Sequence, residues 1–343
     1  MSKIASTERK NTRRDFLFQS AFLSVGLVMV GRTVFGADSL LSVDEKPNSL
    51  FHGVQIGAIT YSFRSLPGSP EQLLQYCVNS GVSAIELMGD SVEDFAGKPV
   101  NTFKAPPRIN GQRAPLTDEQ KKQVADYQKK VADWRAGVSM DKFEEIRKMY
   151  HKEGVSIYAF KPNALNANNT DAEVEYALRA AKALGARSVT VELPTDPLQT
   201  QRLGDLGAKH KIYIGYHAHL QATDTAWDTA LAQSPYNSMN LDCGHYIAAG
   251  GNNTKESLLA LIEAKHDRIS SMHIKDRQTK EHSGNNKVWG EGDTPLQEIL
   301  GLLKQKKYKF PATIELEYDI PTGSDPIQET RKCVAYAKKM LDA

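Results

Sequence analysis

Cysteine is scarce in this 343-residue chain: Cys77, Cys243 and Cys333 are the only three, and none forms a CxxC pair. That excludes a disulfide framework and a cysteine-rich zinc site, and the odd count leaves at least one thiol free. No GxGxxG follows the first strand-like run, which argues against a dinucleotide site. A glycine loop able to cradle a phosphate is missing, as is an arginine cluster, so phosphorylated substrates are not expected. No apolar stretch reaches the ~20 residues of a membrane span. Charge of one sign is lacking too: 43 Lys/Arg stand against 41 Asp/Glu, a net +2, which gives no electrostatic footprint for nucleic acid.

What small positive excess there is belongs to the N-terminus. Residues 1–36 hold six of the 43 basic and two of the 41 acidic residues, so the remainder carries 37 against 39, a balance of −2. Arg13-Arg14-Asp15-Phe16-Leu17 leads into an apolar run from Ala21 to Val30, and small residues follow to Gly36-Ala37. This charged, apolar and small-residue order is that of a cleaved export signal, and the paired arginines resemble the twin-arginine type. The expected address is periplasmic, with no stable membrane insertion after processing; a retained lipid-surface anchor is the alternative. Residues 37–52 read as a linker.

From residue 53 onward strand-like and helix-like runs alternate. Strands are predicted at Val54–Thr60, Ala84–Leu87, Val155–Phe160, Ser188–Leu193, Ile212–Tyr216, Ser238–Leu241, Ile269–Ile274 and Ala312–Glu317. Amphipathic stretches at helical period separate them, and Gly81, Gly154 and Gly185 stand where helices end. Alternation of this kind implies a parallel sheet of right-handed βαβ units. Eight strands over residues 53–343 suit a closed (β/α)₈ TIM barrel; a doubly wound open sheet is the competing fold. About 65 residues separate the second and third strands, more than one helix needs. The surplus, about 97–138, holds a Pro/Asn-rich loop (Lys98–Pro115) and a charged helix, Thr117–Trp134, opened by a capping box. An insertion there lies on the catalytic face of a barrel, as a lid, an oligomer contact or a mere surface excursion.

Ionisable residues recur at strand ends: Glu192; His217 and His219; Asp242 and His245; His273, Lys275 and Asp276; Glu315 and Glu317. A single strand-end histidine is more often satisfied by backbone or water than by a ligand. Five successive strands contributing such groups to one rim is a different signal, because clustered carboxylates repel one another unless a cation neutralises them. Oxygen-rich ligation with one imidazole suits a divalent ion, Mn²⁺ first, with Mg²⁺, Co²⁺ or Zn²⁺ as alternatives. Cys243 reads as packing.

Leu241-Asp242-Cys243-Gly244-His245 resembles the L-D-x-x-H element of the xylose isomerase-like superfamily of sugar isomerases and epimerases. Tyr216-His217-Ala218-His219, Met272-His273-Ile274-Lys275-Asp276 and Trp289-Gly290-Glu291-Gly292-Asp293 are similar to the H-x-H, H-x-K-D and G-x-G elements of its inosose dehydratase branch. The resemblance covers about Gly53 to Ala343. It implies Glu192, Asp242, His273 and Glu315 as metal ligands, with Glu317 the rival of Glu315. It further implies Glu192 and Glu315 as opposed acid and base, and His217, His219, His245 and Lys275 as groups around the substrate. The implied reaction is isomerisation or epimerisation of a non-phosphorylated sugar, ketose or cyclitol through a metal-stabilised enediolate. The alternative on the same site is elimination or hydration, as in a 3-keto-glycoside lyase or an inosose-type dehydratase; a non-catalytic sugar-binding protein is more distant. Endonuclease IV-like repair is disfavoured by charge, address and a short set of zinc ligands. The partner is a small carbohydrate, and the resemblance allows a homo-oligomer.

Overall fold

The apolar runs of the chain pair side by side, all parallel and in chain order, and the last pairs with the first. The strands are β1 (Val54–Ile59), β2 (Ala84–Met88), β3 (Ser156–Lys161), β4 (Ser188–Glu192), β5 (Tyr213–His217), β6 (Asn237–Asp242), β7 (Ile269–Ile274) and β8 (Ala312–Ile314). The closing pairs are β8 with β1 and β1 with β2. This computed structural model, a closed (β/α)₈ barrel, describes residues 46–343 other than 107, 110 and 111. The export signal expected over 1–36 and most of the linker expected over 37–52 lie outside the described residues.

Helices cover the sheet because each exposes one apolar stripe to it. The first eight are α1 (Pro70–Ser80), α2 (Gly89–Phe95), α3 (Asp118–Gly137), α4 (Asp141–Lys152), α5 (Asp171–Leu184), α6 (Pro197–His210), α7 (Asp228–Gln233) and α8 (Cys243–Ala249). Three more complete the ring: α9 (Lys255–Lys265), α10 (Leu296–Lys306) and α11 (Pro326–Asp342). Ser69, Thr117 and Thr170 open α1, α3 and α5 with reciprocal capping boxes, satisfying backbone N–H groups that the helix leaves free. Gly81 (φ 77°) and Gly185 (φ 83°) end α1 and α5 in the left-handed conformation that a side chain disfavours. No helix among the described residues is long and apolar enough to cross a membrane.

Two expectations change at the strand ends. The last strand was expected to run from Ala312 to Glu317 but leaves the ladder after Ile314. Beyond it the Leu316 N–H donates to the Ser62 hydroxyl at 3.0 Å instead of to a neighbouring strand. In the expected linker, Leu50–Phe51 forms a short strand antiparallel to Val54–Gln55, and the buried Ser49 hydroxyl donates to the Ile56 carbonyl at 2.6 Å. The chain is thus tied to the barrel before β1 begins.

The insertion is anchored by charge. Arg135, at the end of α3, grips Glu93 of α2 through two hydrogen bonds (3.0 and 3.2 Å) and Glu173 of α5 through a third (3.0 Å), all buried. The planar guanidinium offers a fixed fork of donors that meets Glu93 with two parallel hydrogen bonds and still reaches Glu173. The helix expected over Thr117–Trp134 therefore forms, one turn longer, and leans on the helical layer.

Register positions the mouth. In the sheet Glu192 lies beside His217, His217 beside Asn240, and Asp242 beside His273. Side chains two apart on one strand share a face, so Asn240/Asp242 and Ser271/His273 form polar columns rising to the C-terminal rim, and Lys275, Glu315 and Glu317 meet there just beyond the ends of β7 and β8. Below them Tyr158 fills the lumen, its hydroxyl 2.7 Å from Thr313 Oγ1. A side chain on Gly57 would meet the Tyr158 ring at 2.7 Å, so glycine there leaves the room that the ring occupies.

Candidate metal centre

Asp242 is the hub. It ends β6 and caps α8: Oδ1 accepts the His245 N–H at 2.7 Å, which turns Oδ2 to the barrel axis. Lys275 Nζ approaches Oδ2 at 3.0 Å, and His217 Nε2, His245 Nε2 and His273 Nδ1 each lie 3.9 Å from it. Oδ2 is fully buried and has no well-directed hydrogen bond among the described residues. The 3.0 Å ammonium contact is therefore an ion pair and not a hydrogen bond, and Oδ2 keeps a lone pair to offer.

Glu315 and Glu317 face the same point. Lys275 Nζ sits 2.6 Å from a carboxylate oxygen of each, and glycine at 244 makes room for it, since a side chain there would meet Lys275 Cγ at 2.5 Å. Burial alone would discharge this lysine, but Asp242, Glu315 and Glu317 outweigh it and hold the ammonium well above its usual range. The same pairing works in reverse on Glu315: burial opposes ionisation, yet His273 and Lys275 keep its pKa far below the ordinary carboxylate value.

His273 lies between two acids. Its Nε2 is 2.9 Å from Glu86 and its Nδ1 3.1 Å from Glu315. Burial lowers its pKa, but the two carboxylates prevail and push it up to about 10. His217 is the opposite case: burial, aided by charged His273, lowers it to about 4. Its Nδ1 meets Asn240 Oδ1 at 2.8 Å, while the Asn240 amide donates to Glu86 and Ser271. The amide orientation makes Oδ1 the acceptor, so His217 carries its proton on Nδ1 and its lone pair on Nε2, facing the axis.

The donor set fits a divalent ion. One atom from each of His217, Asp242, His273 and Glu315 lies within 4.8 Å of the others, all four residues buried; ligands ~2.1 Å from one ion stand ~3–4 Å apart. Glu86, Asp242, Glu315 and Glu317 face Lys275 and the His273 imidazolium, with Lys161, paired to Glu192, acting on Glu86 and Glu315 and with Arg277 against His245; the carboxylates still outnumber the cations among the described residues, so the pocket keeps a negative surplus that a divalent cation would neutralise. Seating it requires Lys275 to yield Asp242 and Glu315 while keeping Glu317, and His273 to release its Nδ1 proton.

Of the four ligands expected from sequence, the structure brings together Asp242, His273 and Glu315, and seats His217 where Glu192 was expected. Glu192 is half-exposed at the end of β4, paired with Lys161 Nζ at 3.0 Å and 3.6 Å from His219 Nε2. The position of Glu192 has a local cause: β4 and β5 are in register to their last residues, and the lysine ending β3 pairs with the carboxylate at the rim. Partial burial opposes its ionisation, but the paired Lys161 ammonium outweighs it and keeps the Glu192 pKa below the ordinary carboxylate value. Between the rivals, Glu315 belongs to the buried cluster, while Glu317 stands further out, held by Lys275.

Two residues escaped the sequence reading. Glu86 is fully buried in the middle of β2, and Asn240 sits one turn of the strand below Asp242; an acid inside the apolar run Ala-Ile-Glu-Leu-Met was the available signal. Through Glu86 the His273 ring is oriented, as outer carboxylates orient metal-ligating imidazoles. Glu86→Gln is expected to weaken Mn²⁺ binding by roughly 10–100-fold, read by calorimetric titration; an unchanged affinity would remove Glu86 from the account. Asp276, expected at the rim, instead accepts the N–H groups of Gly290 (2.7 Å), Gly292 (2.9 Å) and Thr294 (3.2 Å) and so fixes the glycine turn beside the site.

The family described as Xylose isomerase-like TIM barrel matches residues 74–340. No curated protein matches the chain by sequence. Among solved structures, the probable 3-DHS dehydratase of Bacillus anthracis is similar at 14% identity and TM-score 0.56, covering 82% of this chain and 98% of its own. D-psicose 3-epimerase of Clostridium cellulolyticum H10 gives 11%, 0.55, 84% and 99% in the same terms. The E. coli 3-keto-D-glucoside 4-epimerase gives 13%, 0.54, 83% and 99%.

Proposed function

The chain belongs to the xylose isomerase-like TIM barrel family, and from that premise we propose that it is a divalent-metal-dependent isomerase or epimerase of a non-phosphorylated sugar, ketose or cyclitol. The observation that carries this reading is the buried cluster of His217, Asp242, His273 and Glu315, whose donor atoms lie within 4.8 Å of one another. These four would hold the ion, Mn²⁺ by preference because carboxylates accompany the imidazoles. Bound there, a divalent ion supplies Lewis-acid polarisation of a carbonyl and takes up negative charge developing on the substrate.

The chain's own groups supply the proton transfers. Glu192 ends β4 and Glu315 follows β8, strands half a turn of the barrel apart, so a sugar across the mouth presents one face to each. Glu192, kept ionised by Lys161, accepts a proton from the carbon next to the carbonyl. From the opposite wall a proton is returned by Lys275, beside Glu315 and kept in place by Glu317, whose carboxylate lies 2.6 Å from the ammonium. His219 and His245 at the rim hold substrate hydroxyls. The export signal read at residues 1–36 puts this chemistry in the periplasm, where free sugars and glycosides are the available substrates.

A second reading keeps the proton abstraction and ends in β-elimination, as expected for a 3-keto-glycoside lyase or hydratase. Lys275 favours it: a buried ammonium 3.1 Å from His245 Nε2 can protonate a departing alcohol. Incubating the metal-loaded enzyme with oxidised sugars and 3-keto-glycosides in D₂O separates the outcomes. Epimerisation gives one deuterium beside the carbonyl with the skeleton intact; elimination releases the aglycone or water. No exchange on any of them would sink both. Glu315→Gln is expected to lower kcat/KM at least about tenfold more than Glu317→Gln, because only the first removes a donor of the cluster; the reverse order would exchange their roles.

A further inference from the structure

Directly above the carboxylate cluster three imidazoles converge without bonding to one another. His217, His219 and His245 each present a ring nitrogen within 4.8 Å of the other two, and their ring centroids lie 4.9, 5.9 and 4.5 Å apart. His217 and His245 are buried, whereas His219 is half-exposed and opens the group to solvent. Imidazoles packed this closely gain little from each other.

Their remaining contacts leave lone pairs in the middle. Asn240 fixes the His217 proton on Nδ1, so Nε2 is a free acceptor pointing into the group. Among the described residues the His219 ring has only the distant Glu192 carboxylate, 3.6 Å from Nε2. His245 is approached by two cations, Lys275 Nζ at 3.1 Å from Nε2 and Arg277 Nη1 at 2.5 Å from Nδ1. A neutral imidazole has one lone pair, so only one of these contacts is a hydrogen bond and the other opposes donor to donor. His245 therefore lacks a settled partner; ligation through Nε2 puts its proton on Nδ1, so both cations must withdraw, Lys275 keeping three carboxylates and Arg277 its two hydrogen bonds to the Gly284 carbonyl.

We propose that His217, His219 and His245 form a second cation site at the mouth, all nitrogen, which takes a borderline divalent ion such as Cu²⁺, Ni²⁺ or Zn²⁺ in preference to Mn²⁺ or Mg²⁺. Three neutral imidazoles suit such ions, while the carboxylate-rich cluster below suits harder ones. Glu192 beside His219 supplies the outer carboxylate that such a ligand commonly has. Because His217 has a single free lone pair, the two sites share it and fill in alternation, so a borderline ion at the mouth withdraws a ligand from the buried centre. The inference stands whichever reaction the buried centre performs.

The two sites differ in their imidazole count, three against two, and that is measurable. Pulsed and continuous-wave EPR of the full-length mature protein with one equivalent of Cu²⁺ is expected to show three coordinated imidazoles, and two or fewer in His219→Ala. In calorimetric titrations His219→Ala and His219→Gln are expected to weaken Ni²⁺ binding at least tenfold and to change Mn²⁺ binding by less than twofold. His219 is on an exposed loop, so circular dichroism and the melting temperature of both variants should match the parent. A parent spectrum with two imidazoles, no Cu²⁺ binding, or equal sensitivity of Ni²⁺ and Mn²⁺ to the substitutions overturns the proposal.

Discussion

Asp242→Ala is expected to remove bound metal and activity together. Asp242 is the hub of the donor cluster, its Oδ2 3.0 Å from the lysine that compensates it and 3.9 Å from three imidazole nitrogens. Loss of Oδ2 leaves Lys275 with two carboxylates in place of three, so the pocket also becomes less negative. The two losses act in the same direction on a divalent cation. Metal content measured by elemental analysis should fall from about one ion per chain to near zero, and kcat/KM by about 10³-fold or more, the several kcal/mol a Lewis-acid metal supplies. Retained activity in a metal-free variant would refute metal dependence. The substitution also removes the cap of α8, so a loss of about 1 kcal/mol of stability accompanies it, and circular dichroism must show the barrel intact.

Lys275→Met is expected to produce a stability defect that metal repairs. The ammonium is buried and contacts Asp242 at 3.0 Å and Glu315 and Glu317 at 2.6 Å. Removing one member of a buried ion pair costs about 3–5 kcal/mol, because the partner charges are left uncompensated. At ~2–4 °C per kcal/mol for a chain of this size, the metal-free variant should melt about 10 °C below the parent. Added Mn²⁺ should recover most of that, and raise the melting temperature of the variant more than that of the parent, since the ion no longer competes with the ammonium. The gap should also narrow in acid. Lys275 holds Asp242 and Glu315 below their ordinary values, so its contribution is present at neutral pH and disappears as pH falls through the folded-state values and the carboxylates take up protons. A deficit that Mn²⁺ does not touch would mean that Lys275 and the metal do not share ligands.

Much of this was legible in the chain because the barrel converts sequence into position. An apolar run followed by an ionisable residue puts that residue at the rim, and parallel register puts neighbouring rims at one height; Asp242, His273 and Glu315 were readable for that reason. Direction was less legible. Glu192 and His217 end adjacent strands in register, and nothing in either segment tells that Lys161, over thirty residues earlier, draws the carboxylate aside while Asn240 turns the imidazole inward. Glu86 was hidden by its setting, since a single acid within an apolar strand reads as an edge residue until the closure of the barrel brings His273 to within 2.9 Å of it. The insertion was legible as a helix from its capping box, but not its docking, because Glu93 and Glu173 lie 42 and 38 residues from Arg135.

The most direct test is crystallographic: the mature protein soaked with Mn²⁺, with data collected at the manganese absorption edge. The expected result is one anomalous peak ~2.0–2.3 Å from His217 Nε2, Asp242 Oδ2, His273 Nδ1 and a Glu315 oxygen, with Lys275 drawn back to Glu317. Well-ordered crystals without that peak, and with the ammonium still bridging Asp242 and Glu315, would contradict the account.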